Sequence, residues 1–113
     1  MNYVDFKAGN SEYKLKLTTR TTIALEKQIG CNPLMLFGTG NRVPTISEMI
    51  YVLHASLQQL QHGINFDKAI DIFDKYLEDG HTPTDFVQVI IDIYKVSGII
   101  SNDSNDSEET EKN

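Results

Sequence analysis

The residues best suited to chemistry in this chain are three histidines (His54, His62 and His81), one cysteine (Cys31), and a run of carboxylates at Asp67, Asp71, Asp74 and Glu78. Two helical imidazoles can share a zinc ion when they stand at i and i+4, so that both nitrogens come within ~2.0 Å of the metal. His54 and His62, in LHASLQQLQHG (53–63), are eight residues apart. On a helix that is about 12 Å along the axis, and the helical wheel turns the two rings to different faces. They cannot bind one metal from a continuous helix. His54 reads as a hydrogen-bonded residue at the boundary of the core, and His62 as a residue near the helix end, where a cation suits the carbonyl terminus. His81 sits in a Gly-His-Thr-Pro turn. Neither His54 nor His62 opens an H-E-x-x-H motif, no Ser-His-Asp arrangement appears, and GTGNR (38–42) lacks the strand–helix setting of a phosphate loop. Cys31, being alone, excludes an intramolecular disulfide, and as a nucleophile it would need an environment that lowers its pKa. No catalytic residue, cofactor site or metal site is assigned, and the chain is expected not to be an enzyme.

The carboxylates are better ordered. Asp67, Asp71, Asp74 and Glu78 fall at i, i+4, i+7 and i+11, one edge of a helix. Like charges at such spacings cost a few tenths of a kcal/mol per pair, partly offset by Lys75 four residues after Asp71. General acid–base work needs a carboxyl in a pocket, and this edge faces away from the expected core. The strip is either a docking edge for a basic segment or, the plainer reading, a solvated face.

The elements that must position these residues are legible. At 113 residues the chain has length for one domain. Val4 and Phe6, a turn at AGNS (8–11), then Tyr13, Leu15 and Leu17 alternate with polar residues, predicting a β-hairpin over 2–18 with one buried face. From Thr19 the period becomes helical. Helices are expected at about 19–29, with Thr18 or Thr19 capping and Gly30 stopping; at 33–37, behind Asn32 and Pro33; and, after a Gly- and Pro-containing loop at 38–45, at 46–62, opened by a Thr45–Glu48 capping box and stopped by Gly63. Two more follow at 66–79 behind Asn65 and at 83–97 behind Thr82 and Pro83. Ile46, Met49, Ile50, Leu53, Leu57 and Leu60 form the core stripe of the third; Phe66, Ala69, Ile70, Phe73 and Leu77 that of the fourth. The fold class is α+β, mainly helical: residues 1–100 as a hairpin packed on four to five helices, then an acidic tail.

In the last helix Phe86, Val87, Val89, Ile90, Ile91, Ile93, Tyr94 and Val96 spread over an arc of about 220°. Either this helix is covered on two sides, or its second side meets another chain. Val87, Ile91 and Tyr94 are therefore candidates for partner binding, with the carboxylates Asp67, Asp71, Asp74 and Glu78 as a second strip.

Net charge is −6, and residues 101–113 carry one lysine against five carboxylates, −4 of that total. The segment has no apolar side chain with which to offset its ordering entropy, so disorder is expected. No basic stripe with interleaved aromatics appears, which argues against nucleic acid. No apolar run approaches the ~20 residues of a membrane span, and the opening MNYVDFKAGN has no apolar signal core, so a cytoplasmic protein is expected.

Three segments, YKLKLTTRTTIALEKQIGCNPL (13–34), VLHASLQQLQHGI (52–64) and DFVQVIIDIYKVSG (85–98), resemble the small tail assembly chaperones encoded by long-tailed phages and prophages of Gram-positive bacteria. The resemblance spans roughly residues 3–100 and rests on structural motifs. It implies a non-enzymatic helper of virion morphogenesis in the bacterial host cell that binds the long, mostly helical tape-measure protein, keeps it soluble, and is displaced as tail-tube protein polymerises. It also implies, for many such families, a longer frameshifted product whose extension would begin near the acidic tail. No contact residue carries over from it. Self-association through the apolar face is a further expectation, and an acidic adaptor or inhibitor of a basic protein is the alternative.

Overall fold

The computed structural model describes residues 2–37 and 42–101. β1 (Val4–Ala8) and β2 (Ser11–Leu15) form an antiparallel hairpin with Val4 opposite Leu15 and Phe6 opposite Tyr13. The two-residue loop is Gly9–Asn10, with Gly9 at φ 64 and no positive φ at Asn10, the residue order of a type II′ turn. Glycine is favoured there because a side chain would be strained at that φ, and a Cβ, 3.2 Å from Lys75 Cδ, would also ask the lysine side chain to shift.

Four helices follow, α1 (Thr19–Ile29), α2 (Ile46–Leu57), α3 (Phe66–Glu78) and α4 (Pro83–Val96), with a 3₁₀ turn at Pro33–Leu36 between the first two. The starts are set by the expected caps. Thr45 and Glu48 exchange both bonds of a capping box, Thr82 and Asp85 do the same, and Asn65 accepts from the Lys68 amide. Thr18 caps α1, with Thr21 rather than an acid as its partner. Gly30 ends α1 in the left-handed conformation.

The hairpin lays Phe6, Ala8, Leu15 and Leu17 onto the helices, all fully or almost fully buried. Phe6 meets Tyr76 of α3 at 4.9 Å and Phe86 of α4 edge-on at 5.8 Å, while Phe73 meets Phe86 edge-on at 5.3 Å. These four rings lock hairpin, α3 and α4 together at favourable ring geometries. A lone hairpin is marginal in water. This one is held by that cluster and along its second strand and the two residues after it, where Gln61 beyond α2, the Ser56 carbonyl of α2 and Ser97 beyond α4 stand in for a third strand.

Three expectations need correction. α2 stops at Leu57, not 62, so Leu60 lies beyond the helix and is exposed, as is Ile46 in its first turn. The buried side of α3 includes Ile72 and Tyr76, while Phe66, Ile70 and Leu77 are only partly buried; α3 packs against both β1 and α2, which turns its core face toward Ile72 and Tyr76. Tyr94 belongs to the interior, as described below. The expected loop is irregular chain at 42–45, whereas 38–41 and the acidic tail after Ser101 lie outside the described residues.

Candidate partner-binding surface

The histidine run proves to be a joint. His54 is half-buried, its ring edge-on to Phe66 at 5.8 Å, and its Nδ1 is buried without a hydrogen-bond partner. Burial lowers its pKa, opposed in part by the Ile64 carbonyl. His62 is exposed, in the irregular chain after α2. His81 stacks on Tyr76, with ring centroids 4.3 Å apart, and its Nδ1 stands 3.9 Å from Asp85. The three imidazoles are not brought together. Among the described residues, no group of three or more His, Cys, Asp or Glu side chains could hold a metal ion.

The glutamines between them have defined work. Gln58 donates from its amide to the carbonyls of His54 (2.9 Å) and Ile64 (2.8 Å), closing the end of α2 onto the connection to α3. Gln61 donates to the carbonyls of Leu57 (2.8 Å) and Lys14 (2.9 Å), and its Oε1 accepts from the Lys14 amide (2.6 Å). One side chain thus satisfies both backbone groups of an edge-strand residue, as a neighbouring strand would. Helical periodicity could not have revealed this, because the contacts span 47 positions.

Of the residues proposed for partner binding, Asp67, Asp71, Asp74 and Glu78 are all exposed. On α4, Val87 and Ile91 are partly buried. Tyr94 is fully buried, and its hydroxyl donates to the Pro33 carbonyl at 3.0 Å. Burial pushes its phenol well above the usual tyrosine range. It therefore anchors the 3₁₀ turn, with Phe37 edge-on to it at 6.0 Å, and is withdrawn from any docking face. The broad apolar arc of α4 is largely explained by coverage on two sides, by β1 and α3 on one and by α2 and the 3₁₀ turn on the other.

Exposed apolar surface gathers elsewhere. Leu34 and Met35 on the 3₁₀ turn are 42% and 57% exposed, and Val43 and Ile46 at the entry to α2 are 59% and 46% exposed. A 3₁₀ helix repeats every three residues, so burying Pro33 and Leu36 against the core turns Leu34 and Met35 outward. Arg42 draws the two arms together: its guanidinium donates to the Leu36 carbonyl and pairs with Glu48 in the first turn of α2 at 2.9 Å. Burial would raise the Glu48 carboxyl, but the hydrogen bonds from Arg42 and the Thr45 amide outweigh it and hold the pKa down. Arg42 is thus paired with Glu48 beside these apolar side chains. With about half of each side chain exposed, they offer on the order of 400 Å², the scale at which a monomer's largest apolar patch is commonly functional. The sequence signal was present in PLML and RVPTI, but only the positions of Pro33 and Leu36 reveal which side faces out.

The structure is thus a hairpin on four helices, with exposed apolar side chains on the 3₁₀ turn and at the entry to α2. The chain belongs to a family of unknown function, DUF6096, whose model matches residues 4–113. No curated protein and no solved structure matches it significantly.

Proposed function

We propose that the protein is a non-enzymatic, cytoplasmic tail assembly chaperone of a phage or prophage, binding the tape-measure protein and keeping it soluble until tail-tube protein replaces it. The observation that carries this reading is the exposed apolar set Leu34, Met35, Val43 and Ile46, fastened by Arg42. A long amphipathic client offers apolar residues at i, i+3, i+4 and i+7, and three or four anchors on the receiving surface suffice to engage one such helix. The surface supplies about half of the ~800 Å² per partner that a stable dimer needs, so a helix suits it better than a second copy. Val87 and Ile91 on α4, both partly buried, are further candidate contacts. Among the described residues no helix is long and apolar enough to cross a membrane, in keeping with a client met in solution.

A second reading, an acidic adaptor for a basic protein, is favoured by the exposed row Asp67, Asp71, Asp74 and Glu78. Salt separates the two, because contacts between exposed charges are screened within ~3 Å at 1 M. Affinity-tagged chain co-expressed with the tape-measure protein should retain it through a wash at about 1 M salt. Release of the client in that wash would favour the acidic strip, and no co-purification at any salt would refute the chaperone.

A further inference from the structure

The hairpin has two edges, and the chain covers one of them. With Ala8 and Ser11 as the closing pair of the register, Val4, Phe6 and Ala8 bond inward to β2, while Asp5 and Lys7 turn their N–H and C=O groups outward. The same alternation sends the Lys14 groups outward from β2, where Gln61 takes both, and the Ser56 carbonyl accepts from the Lys16 amide. On β1 there is no such cover: among the described residues, nothing bonds to the outward backbone groups of Asp5 and Lys7. Buried backbone groups are almost always paired, and both residues are exposed, so this edge faces solvent. It is closed at the turn, where the Gly9 amide donates to Asp79 Oδ2 at 2.7 Å.

The side chains along this edge complement themselves. On the outer face of the hairpin Asp5 lies opposite Lys14 and Lys7 opposite Glu12, all of them exposed. Among the described residues none of these side chains forms a salt bridge. If two copies of β1 meet antiparallel, the outward groups can bond only when the two-fold axis falls on Asp5, Phe6 or Lys7. On Asp5 or on Lys7 it sets like charges opposite each other, whereas on Phe6 it sets each Asp5 opposite the partner's Lys7. In that register Asp5 and the partner's Lys7 exchange both N–H···O bonds. Each row across the joined sheet then reads Glu12, Lys7, the partner's Asp5, the partner's Lys14, and the sign changes at every step. Half-buried Val4 falls opposite the partner's Ala8 on the inner face. The ladder ends where the Gly9 amide is already taken.

We infer that the free edge of β1 is an interface for a second copy of this chain: an antiparallel pairing of β1 with itself, about a two-fold axis at Phe6, that joins the two hairpins into one sheet. An isologous contact of this kind needs a patch that matches itself. Opposite charges directly across a ladder favour the pairing, and like charges oppose it. One short strand falls below the ~800 Å² per partner of a stable dimer, so association is weak and rises with concentration. The interface uses none of Leu34, Met35, Val43 and Ile46, and it stands whether or not those residues bind a client.

The test is sedimentation velocity of the full chain over a rising concentration series, with amide hydrogen exchange on the same samples. The Asp5 and Lys7 amides should gain protection as dimer forms, while the Phe6 amide, turned toward β2, is protected throughout. Asp5→Lys alone and Lys7→Asp alone each set like charges across the two-fold and should raise the dissociation constant about tenfold or more; thermal melts establish that both variants remain folded. Mixing the two variants restores opposite charges at both positions, and the heterodimer should form about as readily as the unmodified dimer. A chain that stays monomeric at millimolar concentration, a dimer that leaves the Asp5 and Lys7 amides unprotected, or single variants that associate as well as the unmodified chain would overturn the assignment. Protection of these amides by a bound peptide in a chain that remains monomeric would do the same.

Discussion

At the scale of the residue, polar side chains that look catalytic are occupied in holding the joint between hairpin and helices. His54 is packed at that joint against Phe66. Its unpartnered, buried Nδ1 and lowered pKa mean that the unfolded chain, with histidine near ~6.5, takes up the proton first. The stability contributed by neutral His54 is present above that value and is lost as pH falls toward the lower folded pKa. A proton-coupled NMR titration should place His54 below 6.5, and the melting-temperature advantage of the unmodified chain over His54→Gln should shrink between pH 7 and pH 5. A His54 midpoint at or above the ordinary value would contradict this. Gln61 makes a sharper contrast with its neighbour. Gln61→Ala removes the bonds to Lys14 and Leu57 and should cost about 1–3 kcal/mol, with faster amide exchange at Lys14. Gln59→Ala, at an exposed position, should stay within about 0.5 kcal/mol. Chemical denaturation of both variants measures the difference.

At the scale of the element, the helix starts were legible because each rests on local chemistry: Thr45 with Glu48, Thr82 with Pro83 and Asp85, Asn65, Asn32 with Pro33. The end of α2 was not, because Gln58 and Gln61 terminate it through the carbonyls of Ile64 and Lys14, which periodicity does not see. The phase of α3 was misread for a related reason, since contact with both β1 and α2 rotates the buried side to Ile72 and Tyr76. The same holds for Tyr94, whose wheel position allowed a free face until the 3₁₀ turn folded over it. Tyr94→Phe should lose about 1 kcal/mol with the bond to Pro33, and Tyr94→Ala about 3–5 kcal/mol. If Tyr94→Ala melts like the unmodified chain, the 3₁₀ turn is not anchored as described. Gly9→Ala is strained at φ 64 and crowds Lys75; calorimetry should show a loss of about 1 kcal/mol or more.

At the scale of the whole molecule, the hairpin, the aromatic cluster and the four helices build a rigid body, and function is assigned to what that body leaves uncovered. The sequence made the body readable and pointed to α4 and the carboxylate row as contact surfaces. It could not show that α4 is mostly covered, nor that Leu34, Met35, Val43 and Ile46 come to share one end, because that depends on Arg42 bridging the Leu36 carbonyl and Glu48. The most direct test is co-expression of the tape-measure protein with this chain and with a Met35→Asp, Val43→Asp variant. Both positions are more than half exposed, so the variant should keep its fold and melting temperature. The chaperone reading predicts a soluble client with the unmodified chain and an aggregated one with the variant. A client equally soluble without the protein, or rescued as well by the folded variant, would contradict it.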